Sequence, residues 1–141
     1  MHRLFENIVA KVSIAPQSLT SAVLSGTAID CKGYNAASVL ISVGALTNTK
    51  TLDVKVQESD DNTTFADVTG AAITQLIGGA SAKNANYAIE MDLTPRNLHI
   101  KPIATAGAGA TATLSVNVLL HRSEASPADA TAAGLSERVQ V

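Results

Sequence analysis

The sequence predicts an all-β fold, an antiparallel β-sandwich of jelly-roll-like topology, and three observations carry that prediction. Apolar and polar residues alternate in several short runs. Gly, Asn, Asp or Pro separate those runs at roughly the spacing of sandwich and barrel strands. The connections are too short for the dozen or so residues of a parallel crossover. Between Ser18 and Arg122 no segment holds a helical period over three turns. At 141 residues the chain has the length of one domain around one core.

The strands follow in order. A weak one is expected around Ala22 to Ile29. The run from Ala36 to Val43 contains Val39, Ile41 and Val43 and ends at Gly44, a residue suited to a turn. Leu52, Val54 and Val56 point to one face, with Asp53, Lys55 and Gln57 on the other. A polar hairpin loop, residues 58–64, leads to renewed alternation at Phe65-Ala66-Asp67-Val68. Residues 71–86 read as a short strand and a long loop, although Ile73, Leu76 and Ile77 have the spacing of one helical turn. Tyr87, Ile89, Met91 and Leu93 alternate up to Pro95. Leu98 and Ile100 begin a further strand that Pro102 is expected to break, which suggests a sheet edge because proline donates no ladder hydrogen bond. After the flexible Ala-Gly-Ala-Gly-Ala turn at 106–110, Leu114, Val116, Val118 and Leu120 form the strongest run. Seven or eight strands are expected in all.

Both ends differ from the middle. The division is an N-terminal arm over 1–17, a β-sandwich domain over 18–122 and a C-terminal arm over 123–141. Leu4, Phe5, Ile8 and Val9 have helical spacing and form one apolar stripe, on a helix too short to be stable without something to pack on. After Arg122 the chain is rich in Ala and Ser and has no period long enough to fold alone. Extended arms that order against a neighbour are a usual means of joining subunits.

Composition narrows the function. Apolar residues make up 46% of the chain, but aromatics only 3% and Trp is absent, so the core is built from Ala, Val, Ile and Leu. That scarcity argues against a small-molecule pocket, which aromatic side chains usually line. With 16% charged residues and a net charge of -2, the ten Lys and Arg scattered along the chain make a poor phosphate-binding surface. No nucleic-acid partner is therefore expected. Weak charge also gives little self-repulsion, as suits a subunit packed in an assembly. No apolar run approaches a signal peptide or a membrane span, and the expectation is a protein made in a reducing cytoplasm with no membrane partner.

No set of residues points to catalysis. His2, His99 and His121 are far apart in sequence, and neither metal-ligand spacing nor a nearby nucleophile accompanies them. His99 and His121 are expected to face solvent from strands. The single Cys31 reads as a structural thiol. Asp60, Asp61 and Asn62, with Glu58 and Asp67 nearby, are the local concentration of calcium-type oxygen ligands, but lack the glycine and terminal glutamate of an EF-hand. Their simpler role is to hydrogen-bond the hairpin turn. The glycines at 78–79 and 107–109 belong to turns, since neither pair opens a phosphate loop. The expectation is a non-enzyme without cofactor or metal.

Three stretches carry a family resemblance: the opening Met-His-Arg-Leu-Phe-Glu-Asn-Ile, the Asp30-Cys31-Lys32-Gly33-Tyr34 turn, and Val56-Gln57-Glu58-Ser59-Asp60-Asp61 running to Phe65-Ala66-Asp67-Val68. Over about residues 1–122 the chain resembles the small capsid decoration, or cement, proteins of tailed bacteriophages. The resemblance implies a structural virion protein, made in the host cytoplasm, that binds the outer capsid surface and staples neighbouring subunits. Its implied partners are the major capsid protein and further copies of itself. Its expected contacts are Leu4, Phe5, Ile8 and Val9 at one end and Leu135, Val139 and Val141 at the other. The alternative on the same fold is a phage tail or fibre module that binds a host surface glycan, for which the 58–64 loop is the candidate site.

Overall fold

The structure, a computed structural model, describes residues 8–79, 83–96, 98–121 and 137–141. Among these residues eleven strands form and no helix: β1 (Ile8–Thr20), β2 (Val23–Ser25), β3 (Ile29–Asp30), β4 (Ala36–Leu46), β5 (Thr51–Ser59), β6 (Ala66–Ala72), β7 (Leu76–Ile77), β8 (Ala85–Asp92), β9 (His99–Ala106), β10 (Thr111–His121) and β11 (Glu137–Gln140). They make two sheets. The first has the order β1-β10-β4-β8-β11. In the second, β9 and β5 form the centre, β2 and β3 pair with the far side of β9, and β6 and β7 with the far side of β5. The β11–β8 pair is parallel and the other pairs are antiparallel. The sandwich predicted from alternation is therefore present.

Period-two patterning builds the core. Val39, Ile41 and Val43 of β4 lie in register with Val118, Val116 and Leu114 of β10, and all six are buried. From the second sheet Leu52, Val54 and Val56 of β5 and Ile100 and Ala104 of β9 pack against them. Each fully buried Val, Leu or Ile contributes about 1.5–3 kcal/mol relative to an exposed position. The inward side chains are small, so many thin layers replace a few aromatic anchors.

Four expectations about elements change. Residues 8–17 are not an arm: they belong to β1, which pairs with β10 from Ile8 opposite His121 to Thr20 opposite Thr111. The helical spacing that includes Ile8 and Val9 has no helix behind it, because these two are strand neighbours facing opposite sides. Residues 137–141 are also integral, since β11 extends the first sheet beside β8. Gly44 does not end its strand; it is the extra residue of a bulge, where the Ala45 N–H donates to Thr113 Oγ1 at 2.7 Å.

The fourth change concerns Pro102, which sits in a central strand and not at an edge. Pro102 O accepts from Gly26 N at 2.8 Å, so in antiparallel geometry its nitrogen also faces the β2/β3 side. There the chain passes from β2 to β3, leaving no paired strand opposite Pro102. The missing donor thus falls in a gap. The same turn joins the two sheets: Thr27 N donates to Ser13 O at 2.8 Å, and the buried Ser13 hydroxyl donates to Thr27 O at 2.8 Å. Glycine is required at 26, because a Cβ there would run into Ser13 Oγ.

Candidate protein-contact surfaces

The two outward faces of the sandwich are built from different residues. On the first sheet, register places the side chains in rows. One row is Val12, Asn117, Leu40 and Ala88; the next is Ala10, Leu119, Ser38 and Glu90; a third is Ile8, His121, Ala36 and Asp92. Val12 is 58% exposed, Leu40 and Leu119 are half-buried, and Ala88 is covered despite its outward position. The polar groups of this face bond to one another: Ser38 Oγ and His121 Nε2 lie 3.0 Å apart, and Ser42 Oγ donates to Asn86 Oδ1 at 2.9 Å. Among its described residues on β1, β10, β4 and β8, charge is confined to Glu90 and Asp92 on β8. Hydrogen bonding from Thr94, chiefly its backbone N–H, holds the Asp92 carboxyl below the ordinary aspartate range.

The second sheet presents a charged face. Lys55 Nζ meets Asp67 Oδ2 at 2.7 Å, Gln57 donates to the other Asp67 oxygen at 2.8 Å, and Gln75 bonds both oxygens of Asp53. Lys101 Nζ stands 3.9 Å from the centre of the Phe65 ring. The hydrogen bonds from Lys55 and Gln57 lower the Asp67 pKa. In the adjoining loop, Asp61 Oδ1 accepts from Thr64 N, Thr63 N and Ser59 Oγ, which lowers its own pKa. Asp61 is thus the cap of the hairpin turn, and no group of three or more metal-ligating side chains converges among the described residues.

The predicted contact residues are divided. Val9 faces inward opposite Leu120, and Ile8 faces outward opposite His121. Val139 and Val141 are half-buried against the chain's own core, as is Val9. A partner can therefore touch only the remaining exposed part of each. The structure does not bring the two groups together, because β1 and β11 are opposite edges of the first sheet. Leu4, Phe5 and Leu135 lie outside the described residues.

Cys31 is 4% exposed, and burial, followed by the charge of Asp30, pushes its thiol up to about 11. At neutral pH it is a protonated core group. His99 is not a solvent-facing side chain as expected: it is half-buried opposite Ser59, and its Nδ1 is buried without a hydrogen-bond partner. Not expected from the sequence is the outward apolar group of Val12, Leu40 and Leu119, spread over two adjacent rows. A signal was present. In Val39-Leu40-Ile41 and Val118-Leu119-Leu120, three consecutive apolar residues force one to point away from the core.

No protein-family model and no curated protein matches the chain. Solved structures do share its fold. The PBSX exported protein XepA is similar with a TM-score of 0.59 and 14% identity, over 84% of this chain and 38% of that one. The SPBc2 prophage-derived protein YomS is similar with a TM-score of 0.54 and 12% identity, over 81% of this chain and 92% of that one. VP2 of infectious bursal disease virus, in a subviral particle, is similar with a TM-score of 0.57 and 8% identity, over 82% of this chain and 32% of that one. This chain therefore spans well under half the length of XepA and of VP2.

Proposed function

We propose that the chain is a structural protein of a bacteriophage particle that binds the outer surface of the assembled capsid and stabilises it by bridging neighbouring subunits. The observation that carries this reading is the outward face of the first sheet, where Val12, Leu40 and Leu119 stand among Ala, Ser and Asn with charge confined to one side. Such a face gains from losing water and loses little by desolvating charge. A prophage-derived protein and a subunit of a viral particle among the structures of this fold support the setting.

The mechanism is linkage. A protein that binds the assembled shell and not its dissociated subunits stabilises the shell by RT ln(1 + [L]/Kd) at each site, about 2.7 kcal/mol at a hundredfold excess over Kd. Many copies add these contributions over the particle. The test is to mix purified protein with heads that lack it and sediment them. Saturable co-sedimentation, with a raised temperature of head disruption, is expected. Absence of binding to heads together with saturable binding to host cells would replace the capsid reading with the tail-module reading.

A further inference from the structure

We propose that the side of β8 away from β4 is a strand-acceptor site, and that its ligand in an assembly is the C-terminal strand of a neighbouring copy of this chain, taken in place of the chain's own β11. The inference stands on the geometry of β8 and β11 and does not depend on the capsid reading. β4 pairs with one side of β8, and β11 covers the other in parallel register from Glu137 opposite Tyr87 to Gln140 opposite Glu90. Val141 N donates to Glu90 O at 2.8 Å, and Asp92 N donates to Val141 O at 3.0 Å. Val139 and Val141, two residues apart and hence on one face, pack against the core. Backbone bonds for affinity and alternate side chains for specificity are the terms of β-strand addition.

The length of the connection allows the strand to come from elsewhere. His121 ends β10 at the level of Asp92, whereas β11 starts at the level of Tyr87, five residues back along β8. With three strand spacings of about 4.8 Å across and about 17 Å along, the gap to be crossed is about 22 Å. Residues 122–136 supply fifteen residues for it, with a reach of up to about 50 Å. The excess is more than the width of the five-stranded sheet, so a copy lying edge to edge is within range. Own and exchanged strands make identical contacts, and the balance is therefore set by concentration alone. A connection of this length gives an own-strand effective concentration of order millimolar. Dilute protein keeps its own strand, and copies held side by side exchange it. An emptied β8 edge would be an open template for pairing, which exchange keeps covered.

The experiment uses full-length protein with Cys31→Ala, to remove the native thiol. Ala88→Cys and Arg138→Cys are made separately and together, because the two positions are aligned between β8 and β11. The double variant, oxidised, is expected to close within one chain. The two single variants, co-refolded from urea at about 1 mM and oxidised, are expected to give an 88–138 linked heterodimer in a large fraction of molecules, identified by peptide mass. At about 10 µM the yield is expected to fall roughly a hundredfold. Closure of the double variant with no heterodimer at either concentration overturns the exchange. Failure of the double variant to cross-link in any form overturns the acceptor site itself.

Discussion

Leu40 and Ile41 are adjacent and chemically alike, yet one lies outward and half-buried and the other has no exposed surface. Ile41→Ala is expected to lower stability in urea by about 2–5 kcal/mol, with Leu40→Ala far below that, because only the first leaves a cavity in the core. Alternation made Ile41 legible as core, and the run of three apolar residues marked Leu40, but which of the three turns outward depends on register with β10 and β8. Cys31 gives a prediction in pH. Burial raises its thiol from 9.0 to about 11, so the folded state holds the proton more tightly than the unfolded chain. Its contribution is fully present below about pH 9 and is lost as pH rises towards 11. Denaturation midpoints measured across that window should fall, and Cys31→Ala should flatten the fall. The carboxyls of Asp61, Asp67 and Asp92 act in the opposite sense. Their folded pKa values are lowered, so the stability they add is present above the ordinary carboxylate range and declines as pH falls below it.

The elements that sequence revealed least are those in which the backbone departs from a plain ladder. β1 has register shifts between Val12 and Ile14 and between Ile14 and Gln17, which break its alternation, so no long strand period shows in the sequence. β11 is four residues long and offers only Val139 and the following Val141 as a pattern. Pro102 is informative because the usual rule excludes it from a sheet centre, and the gap between β2 and β3 restores it. Pro102→Ala should therefore change stability by no more than about 1 kcal/mol, most of it through the unfolded chain. Ile103→Pro, one residue on, removes an N–H directed at β5 beside Lys55 and should destabilise several times more. Gly26→Ala forces Ser13 or the β2–β3 turn to shift at the junction of the sheets, and about 1–3 kcal/mol should be lost. Thermal or urea unfolding of the three variants checks all of these together.

At the scale of the whole molecule, the sandwich has one face dressed with bonded charges, Lys55 with Asp67 and Gln75 with Asp53, and one that is largely uncharged. The fold class and the weak overall charge were legible in the sequence, since both are sums over many residues. The proposed contact face was not, because the residues that form it come from four strands distant in sequence and meet only through register. The sequence directed attention to the two ends, and the structure places the described parts of those ends at opposite edges of the same sheet. The two faces can be compared directly by binding isotherms on heads that lack the protein. Leu119→Lys puts a charge in the middle of the uncharged face, and Thr105→Lys puts one on the other face, with neither altering the core. Leu119→Lys is expected to weaken binding at least tenfold while Thr105→Lys leaves it within twofold of the parent. Equal binding by both variants, or a loss confined to Thr105→Lys, would contradict it.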